Sequence, residues 1–303
     1  MKGIVLAGPT GVGKTDLSLK LAKLIGADII SCDSAQVYQE MNIGTAKIRE
    51  EEMEGIKHYM LDVLPPVHKY SVGEYQRAVD KILAEKEKEN KPVILTGGTG
   101  LYINSVVNGL SELPESNPEL RDKLMEFSED ELYEKLCSLD PEAAQTIHKN
   151  NKKRVERAVE VCVLTGEKFS VLSKKNIKNN NYDFLKVCLT RDRDILYKRI
   201  DKRVDIMMNQ GLLEEVENLY KKYGGEILKK INIIGYTQII EYLEGKISLG
   251  TAVSLIKRDS RRYAKRQMTW FNNDDGYIWF DLGNQSENDI LKSITEHYFN
   301  SGV

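Results

Sequence analysis

The chain has no disulfide or metal framework. Its four cysteines (Cys32, Cys137, Cys162, Cys188) form no Cys-x-x-Cys pair, and its four histidines (His58, His68, His148, His297) are equally scattered. That dispersal excludes an obvious zinc site and a stapled fold. No apolar stretch approaches the ~20 residues a membrane-spanning helix needs. Met1-Lys2-Gly3 runs straight into an apolar segment with no secretory leader, so a reducing cytoplasm is the expected home. A formal net charge of −2 excludes coating of nucleic acid by global charge, and any such surface must be a local patch. There is no internal repeat. With 303 residues, 41% hydrophobic and 30% charged, the chain suits one large domain or a core with a second, smaller one.

Against these absences one motif stands complete. Residues 8–15 read Gly-Pro-Thr-Gly-Val-Gly-Lys-Thr, directly after the apolar run Ile4-Val5-Leu6-Ala7. Glycines at 8, 11 and 13 let the backbone bend so that its N–H groups point at phosphate oxygens. Lys14 adds charge, and Thr15 offers a hydroxyl to Mg²⁺. A helix starting near Lys14 contributes the positive end of its dipole. The expected ligand carries a di- or triphosphate.

Strand-like runs recur at Ile4–Ala7, Asp28–Cys32, Pro92–Thr96, Phe184–Thr190 and Tyr277–Leu282, with helical patterns between them, notably Lys14–Ile25 and Ser71–Asn90. This alternation predicts an α/β fold, a P-loop NTPase-like parallel sheet wrapped by helices on both faces. Between about residues 113 and 183 the rhythm changes to helical periodicity with no convincing strand. It closes in the polar run Lys174–Tyr182, which reads as a loop. The expected organisation is a catalytic core, 1–112 and 184–303, carrying a helical insertion domain, 113–183. Asp194–Tyr223 and Leu249–Phe271 read as mostly helical.

The second strand ends in Asp33-Ser34-Ala35-Gln36. Carboxyl ends of neighbouring parallel strands share the edge where ligands bind, so Asp33 is expected beside the phosphate loop. A helix cap explains one polar residue there but not the whole group. Such a carboxylate takes a proton from an attacking group or holds Mg²⁺ through water. The strand Pro92–Thr96 ends in Thr96-Gly97-Gly98-Thr99-Gly100-Leu101-Tyr102, without the Mg²⁺-holding Asp of an ATPase or GTPase; this glycine turn is either structural or functional. Lys47, after Gly44-Thr45-Ala46, reads by default as solvated.

Arg191, Arg193, Arg199 and Arg203 follow the fourth strand, with Asp201 and Asp205 able to neutralise some of them. A departing diphosphate needs such cations, and Arg203 is the choice. Two further basic clusters remain. One is Lys149, Lys152, Lys153, Arg154 and Arg157. The other is Lys257, Arg258, Arg261, Arg262, Lys265 and Arg266, which at about 100° per residue falls within half a helix circumference. A charged helix face is usually only solvated. Six like charges there read as uncompensated and point to an anionic partner.

Taken together the pattern resembles one family, the tRNA dimethylallyltransferases or isopentenyl-tRNA transferases. The matching blocks are 8–15, Asp33-Ser-Ala-Gln36, Met41-Asn-Ile-Gly-Thr-Ala-Lys47, Gly97-Gly-Thr-Gly-Leu-Tyr102, Asn151–Glu160, Ile234-Gly-Tyr236 and Ala264-Lys-Arg-Gln-Met-Thr-Trp270, in order along nearly the whole chain. The resemblance implies transfer of a dimethylallyl group from dimethylallyl diphosphate to N6 of the adenosine just 3′ of certain tRNA anticodons. It implies Asp33, Thr10 and Arg203 as catalytic residues, and Gly8, Thr10, Gly11, Val12, Gly13, Lys14 and Thr15 around the diphosphate, with Mg²⁺ on Thr15. Asp33, Ser34, Ala35, Gln36 and Thr99 would contact the tRNA, as would Arg121, Lys153, Arg154, Val155, Glu156 and Arg157. A monomer acting on a tRNA anticodon stem-loop is expected. A small-molecule kinase shares the phosphate loop, Asp33, Gly97-Gly98 and Arg203, but leaves the insertion and the basic stripe unexplained. An enzyme prenylating free adenine nucleotides has little use for either basic cluster. A GTPase is disfavoured by the lack of an Asn-Lys-x-Asp motif.

Overall fold

A computed structural model describes residues 1–177 and 180–300. The first segment runs β1 (Lys2–Ala7), α1 (Lys14–Ile25), β2 (Asp28–Cys32), β3 (His58–Tyr59), α2 (Val72–Lys88), β4 (Val93–Gly97) and α3 (Gly100–Val107). Then come β5 (Leu110–Ser111), α4 (Pro118–Met125), α5 (Glu129–Leu139), α6 (Pro141–Thr146), α7 (Lys152–Thr165), α8 (Phe169–Leu172) and β6 (Asn176–Ile177). The chain continues with β7 (Asp183–Thr190), α9 (Arg193–Asn209), α10 (Leu212–Tyr223), α11 (Gly225–Ile231), α12 (Tyr236–Leu243), α13 (Leu249–Asn272), β8 (Ile278–Asp281) and α14 (Glu287–Asn300). It forms two compact units, Met1–Val107 with Asn180–Val303, and Asn108–Asn179.

In the first unit six strands form one sheet in the order β3-β2-β4-β1-β7-β8, all parallel. Alternate residues of each strand feed opposite faces. Val5 and Ala7 of β1 join one core with Ile30, Leu95 and Cys188, while Ile4 and Leu6 join another with Ile29, Ile94 and Leu189. Both faces are therefore covered by helices, as a parallel sheet requires, and the expected fold class is borne out. Register is what positions the site. Ala7 of β1 stands level with Gly97 of β4 and Cys188 of β7, and Cys32 of β2 also pairs Gly97. The chain segments leaving β1, β2 and β4 consequently emerge side by side.

Local chemistry accounts for the helix bounds. Gly13 precedes α1 at φ 114°, a backbone angle that a side chain strongly disfavours, and Gly26 closes the helix in the left-handed region. Ser71 caps α2 by accepting from the Glu74 N–H, while the Glu74 carboxylate receives the Ser71 N–H in return. The helical stretch expected over Asp194–Tyr223 is broken into α9 and α10 by Gly211, at φ 99°.

The second unit packs α4 to α8 around Leu124, Leu132, Leu136, Ile147, Val155 and Val159. Contrary to the expectation of no strand there, β6 pairs antiparallel with β5, Leu110 opposite Ile177 and Ser111 opposite Asn176. Two-residue strands are too short to carry a period. The polar run at 174–182 is thus not wholly a loop; residues 178 and 179 within it lie outside the described residues.

Candidate active site

The phosphate loop joins β1 to α1 at the sheet edge. Lys14 folds back along it, its Nζ donating to the carbonyls of Gly8 (2.8 Å) and Pro9 (2.9 Å). Burial pulls the Lys14 ammonium down to about 8, with Asp33 opposing and Arg203 reinforcing that shift. The carbonyl side of the loop is latched by arginines: Arg191 Nε donates to Val12 O and Arg199 Nε to Gly11 O, each at 2.9 Å. Val12 itself is buried, whereas Thr15 is exposed at the start of α1. Gly8 sits at φ 148°, and a Cβ there would press on the Leu189 carbonyl.

After β2, Asp33 Oδ1 accepts the N–H of Ala35 at 2.8 Å, leaving Oδ2 without a hydrogen-bond partner among the described residues. The Ser34 N–H donates to Thr99 Oγ1 at 3.1 Å, tying the loops that follow β2 and β4. Gln36 accepts from Ser31 Oγ (2.9 Å) and donates to the carbonyls of Thr45 (3.3 Å) and Ala46 (3.4 Å). Arg203 reaches in from α9, Nη1 donating to Thr10 Oγ1 at 3.2 Å. Its burial lowers the guanidinium from its ordinary value, with Asp33 opposing. Burial also pushes the Cys32 and Cys188 thiols up to about 12, so neither is a nucleophile near neutral pH.

The glycine turn after β4 is demanded by packing. A Cβ at Gly97 would overlap the Cys32 carbonyl, one at Gly98 the Gln267 amide, and one at Gly100 the Trp270 indole. Gln267, buried on α13, was not singled out from the sequence as a site residue. Its Oε1 accepts the Thr10 N–H and its Nε2 donates to Gly98 O, both at 2.9 Å, bridging the phosphate loop to the glycine turn. Tyr263, one turn earlier, lines the same region, and burial pushes its phenol up to about 12.

Two cavities open here. One, of about 450 Å³, is floored by Gly11, Gly13, Lys14 and Thr15. The other, of about 590 Å³, is walled by Tyr38, Tyr70, Tyr102 and Tyr263. Thr10, Asp33 and Arg203 line both. A polar phosphate cradle and an aromatic chamber therefore share one wall, and that wall holds a carboxylate, a hydroxyl and a guanidinium.

A family model for IPP transferase matches residues 36–274. The chain belongs to the IPP transferase family. The tRNA dimethylallyltransferase of Fusobacterium nucleatum subsp. nucleatum is 58% identical over 97% of this chain and 96% of its own. The crystal structure of the tRNA delta(2)-isopentenylpyrophosphate transferase from Staphylococcus epidermidis is 38% identical, with a TM-score of 0.72 and full coverage of both chains, 100% each. A eukaryotic dimethylallyltransferase, caught in crystallographic snapshots acting on tRNA, gives a TM-score of 0.83 at 27% identity, over 98% of this chain and 78% of that one. The family resemblance read from the motifs is borne out.

Several residues sit differently from expectation. Lys47 is not solvated: only 9% exposed, it donates to Tyr38 O (2.7 Å) and Asn42 Oδ1 (3.0 Å) and pairs with Asp62 (2.6 Å). Asp201 and Asp205 do not neutralise arginines of their own helix. Because α9 packs on α13, Asp201 pairs with Arg261, and Asp205 with Lys257 at 2.6 Å. Arg258 bonds its neighbour Asp259 at 2.9 Å. The stripe 257–266 is therefore compensated in part, with Arg262 reaching Asp259 only at 3.8 Å, and Arg258, Arg262, Lys265 and Arg266 are its exposed members.

In the second unit Glu160 is completely buried and receives Arg121 Nε (2.9 Å), Arg157 Nη1 (2.6 Å) and the Asn117 N–H (2.9 Å). Arg157 Nη2 donates to Pro114 O at 2.6 Å. These forks hold α4 against α7, since a buried carboxylate needs such partners. Val155 is buried in the core of the unit, so its side chain has no surface to offer a ligand. Lys153 and Arg154 are exposed, and Glu156 is half-buried. Among the described residues, no helix is long and apolar enough to cross a membrane.

Proposed function

We propose that this chain transfers the dimethylallyl group of dimethylallyl diphosphate to N6 of the adenosine 3′-adjacent to the anticodon of certain tRNAs, releasing diphosphate. The observation that carries this reading is the shared wall of the two cavities, in a chain of the IPP transferase family. The diphosphate takes the phosphate-loop side, against Gly8, Gly11, Gly13 and Lys14. The adenine, flipped out of its stack at a cost of a few kcal/mol, takes the aromatic side beside Ser34 and Ala35, where tyrosine faces suit a base.

N6 attacks the allylic carbon, the carbon–oxygen bond breaks, and its electron pair leaves on the diphosphate. The N6 proton passes to Asp33, whose Oδ2 has no other partner among the described residues. Adenine's amino lone pair is delocalised into the ring, so removing this proton as the bond forms is what makes the nitrogen competent. Arg203 meets the charge growing on the leaving group, and Thr10 holds Arg203 in place.

Thr15 and Asp33 both face the phosphate side, an all-oxygen donor set that fits a Mg²⁺ held mainly by substrate phosphates. Thr15 would hold the ion, which when bound neutralises part of the diphosphate charge. Lys153 and Arg154, with Arg262, Lys265 and Arg266, supply phosphate contacts to the tRNA. One copy of the chain lines both cavities, so the reading needs no second subunit, and it places the enzyme in the cytoplasm with its tRNA.

The test offers labelled dimethylallyl diphosphate and Mg²⁺ with either unmodified tRNA or AMP. Label in tRNA alone is expected. Label in AMP makes the protein a nucleotide prenyltransferase, and γ-phosphate transfer from ATP makes it a kinase.

Lys14 adds a pH signature. Its ammonium titrates near 8 in the free protein, so above that pH diphosphate must bind together with a proton. Affinity for inorganic diphosphate should fall by up to about tenfold per pH unit above 8, relative to Lys14→Arg, whose guanidinium stays charged. The ligand's own ionisation cancels in that comparison. Parallel pH profiles in calorimetry would remove Lys14 from the diphosphate site.

A further inference from the structure

The segment 42–46 walls both cavities, Gly44 and Thr45 on the aromatic side and Ala46 on the phosphate side. Ala46 stands at φ 44°, a left-handed conformation that a residue with a side chain disfavours. Such a conformation persists only where its surroundings over-determine it.

Glu215 on α10 supplies much of that restraint. Its Oε2 accepts the N–H groups of Asn42 (3.0 Å) and Ile43 (2.8 Å). Its Oε1 accepts the N–H of Gly44 (3.2 Å) and the hydroxyl of Tyr236 (2.6 Å). Three successive amides thus form an anion-binding concavity whose anion is the protein's own carboxylate. The Tyr236 ring lies so close to Gly44 that a Cβ there would collide with it. Lys47 anchors the opposite end through Tyr38, Asn42 and Asp62.

With the amides drawn to Glu215, the carbonyls that follow turn to the reaction centre. Thr45 O receives Arg203 Nη2 at 3.5 Å and Gln36 Nε2 at 3.3 Å, and Ala46 O receives the same Gln36 nitrogen at 3.4 Å. Each contact is long. Their direction therefore depends on the loop being held and not on their own strength.

The geometry points to Glu215 as a positioning residue: by clamping amides 42–44 it aims the Thr45 carbonyl at Arg203 and fixes the guanidinium beside Thr10 and Asp33. This rests on the assignment of Arg203 to the departing diphosphate.

Glu215→Gln and the milder Tyr236→Phe test it, each alone and in an Arg203→Ala background. Two quantities are measured: single-turnover transfer to tRNA, and calorimetric affinity for inorganic diphosphate with Mg²⁺. Glu215→Gln should slow transfer by about 10- to 100-fold, as misplaced catalytic groups do, and weaken diphosphate binding, with tRNA affinity unchanged. Tyr236→Phe should move both quantities the same way by less, and it decides the matter if Glu215→Gln does not fold. In the Arg203→Ala background both substitutions should cost under about twofold, the non-additivity of groups acting through one another. Equal losses in both backgrounds, or parental values with Arg203 present, overturn the assignment. The diphosphate arm reads the coupling even if label never reaches tRNA, so failure of the transfer reading and failure of the clamp are distinguishable.

Discussion

Asp33→Asn is expected to slow transfer to tRNA by about 10²- to 10⁴-fold, the usual worth of a positioned general base. Binding should survive. Asparagine keeps an oxygen for the Ala35 N–H, which Asp33 Oδ1 accepts at 2.8 Å, so the turn after β2 has no reason to rearrange. What is lost is the proton acceptor facing both cavities. Single-turnover transfer and filter binding of the same tRNA separate these effects. A rate loss with tRNA affinity held within about twofold identifies a base acting in the chemical step. A parallel collapse of binding would instead make Asp33 a recognition or structural residue.

Arg203→Ala should lower the transfer rate by about 10²- to 10³-fold, comparable to removing one donor that stabilises transition-state charge. The guanidinium is drawn from solvent by its burial on α9 and held by Thr10 Oγ1. On the proposed reading it would meet the departing diphosphate already oriented. Lysine should rescue only part of the loss, because a point charge cannot reproduce the two directions of the fork. The loss should fall mainly on the rate, with donor affinity weakened less, since Lys14 and the loop amides still grip the ground state. An Arg203→Ala enzyme with parental single-turnover rates would move leaving-group stabilisation elsewhere.

The parts of this fold legible in the sequence are those whose cause is local. The apolar run Asp28–Cys32 and the helical stretch Lys14–Ile25 match β2 and α1 residue for residue, because strand burial and glycine punctuation are written within the elements themselves. β3 escaped notice, since a two-residue edge strand carries no periodicity. Lys47 read as solvated by default. Asp62 arrives from fifteen residues further along the chain. The acids of α9 were matched to arginines of the same helix by spacing, yet their partners lie on α13, some 60 residues away for Asp201 and Arg261. Gln267 is the sharpest case. Its contact with Thr10 spans 257 positions, and nothing local marks a glutamine in a basic helix as the brace of a phosphate loop. The phosphate loop and Asp33 could be expected side by side because parallel strands deliver their carboxyl ends to one edge, and both line the same cavity, joined there by Arg203 from α9. Which loop clamps which guanidinium depends on tertiary packing that no spacing rule contains.

The most direct measurement is a crystal structure of the protein with Mg²⁺, a non-reactive dimethylallyl diphosphate analogue and an anticodon stem-loop bearing the target adenosine. The account predicts the diphosphate on residues 8–15, the flipped adenine in the tyrosine-walled chamber, and N6 between Asp33 and the allylic carbon with Arg203 on the bridging oxygen. A base lodged away from Asp33, or an allyl group directed out of the shared wall, would contradict it.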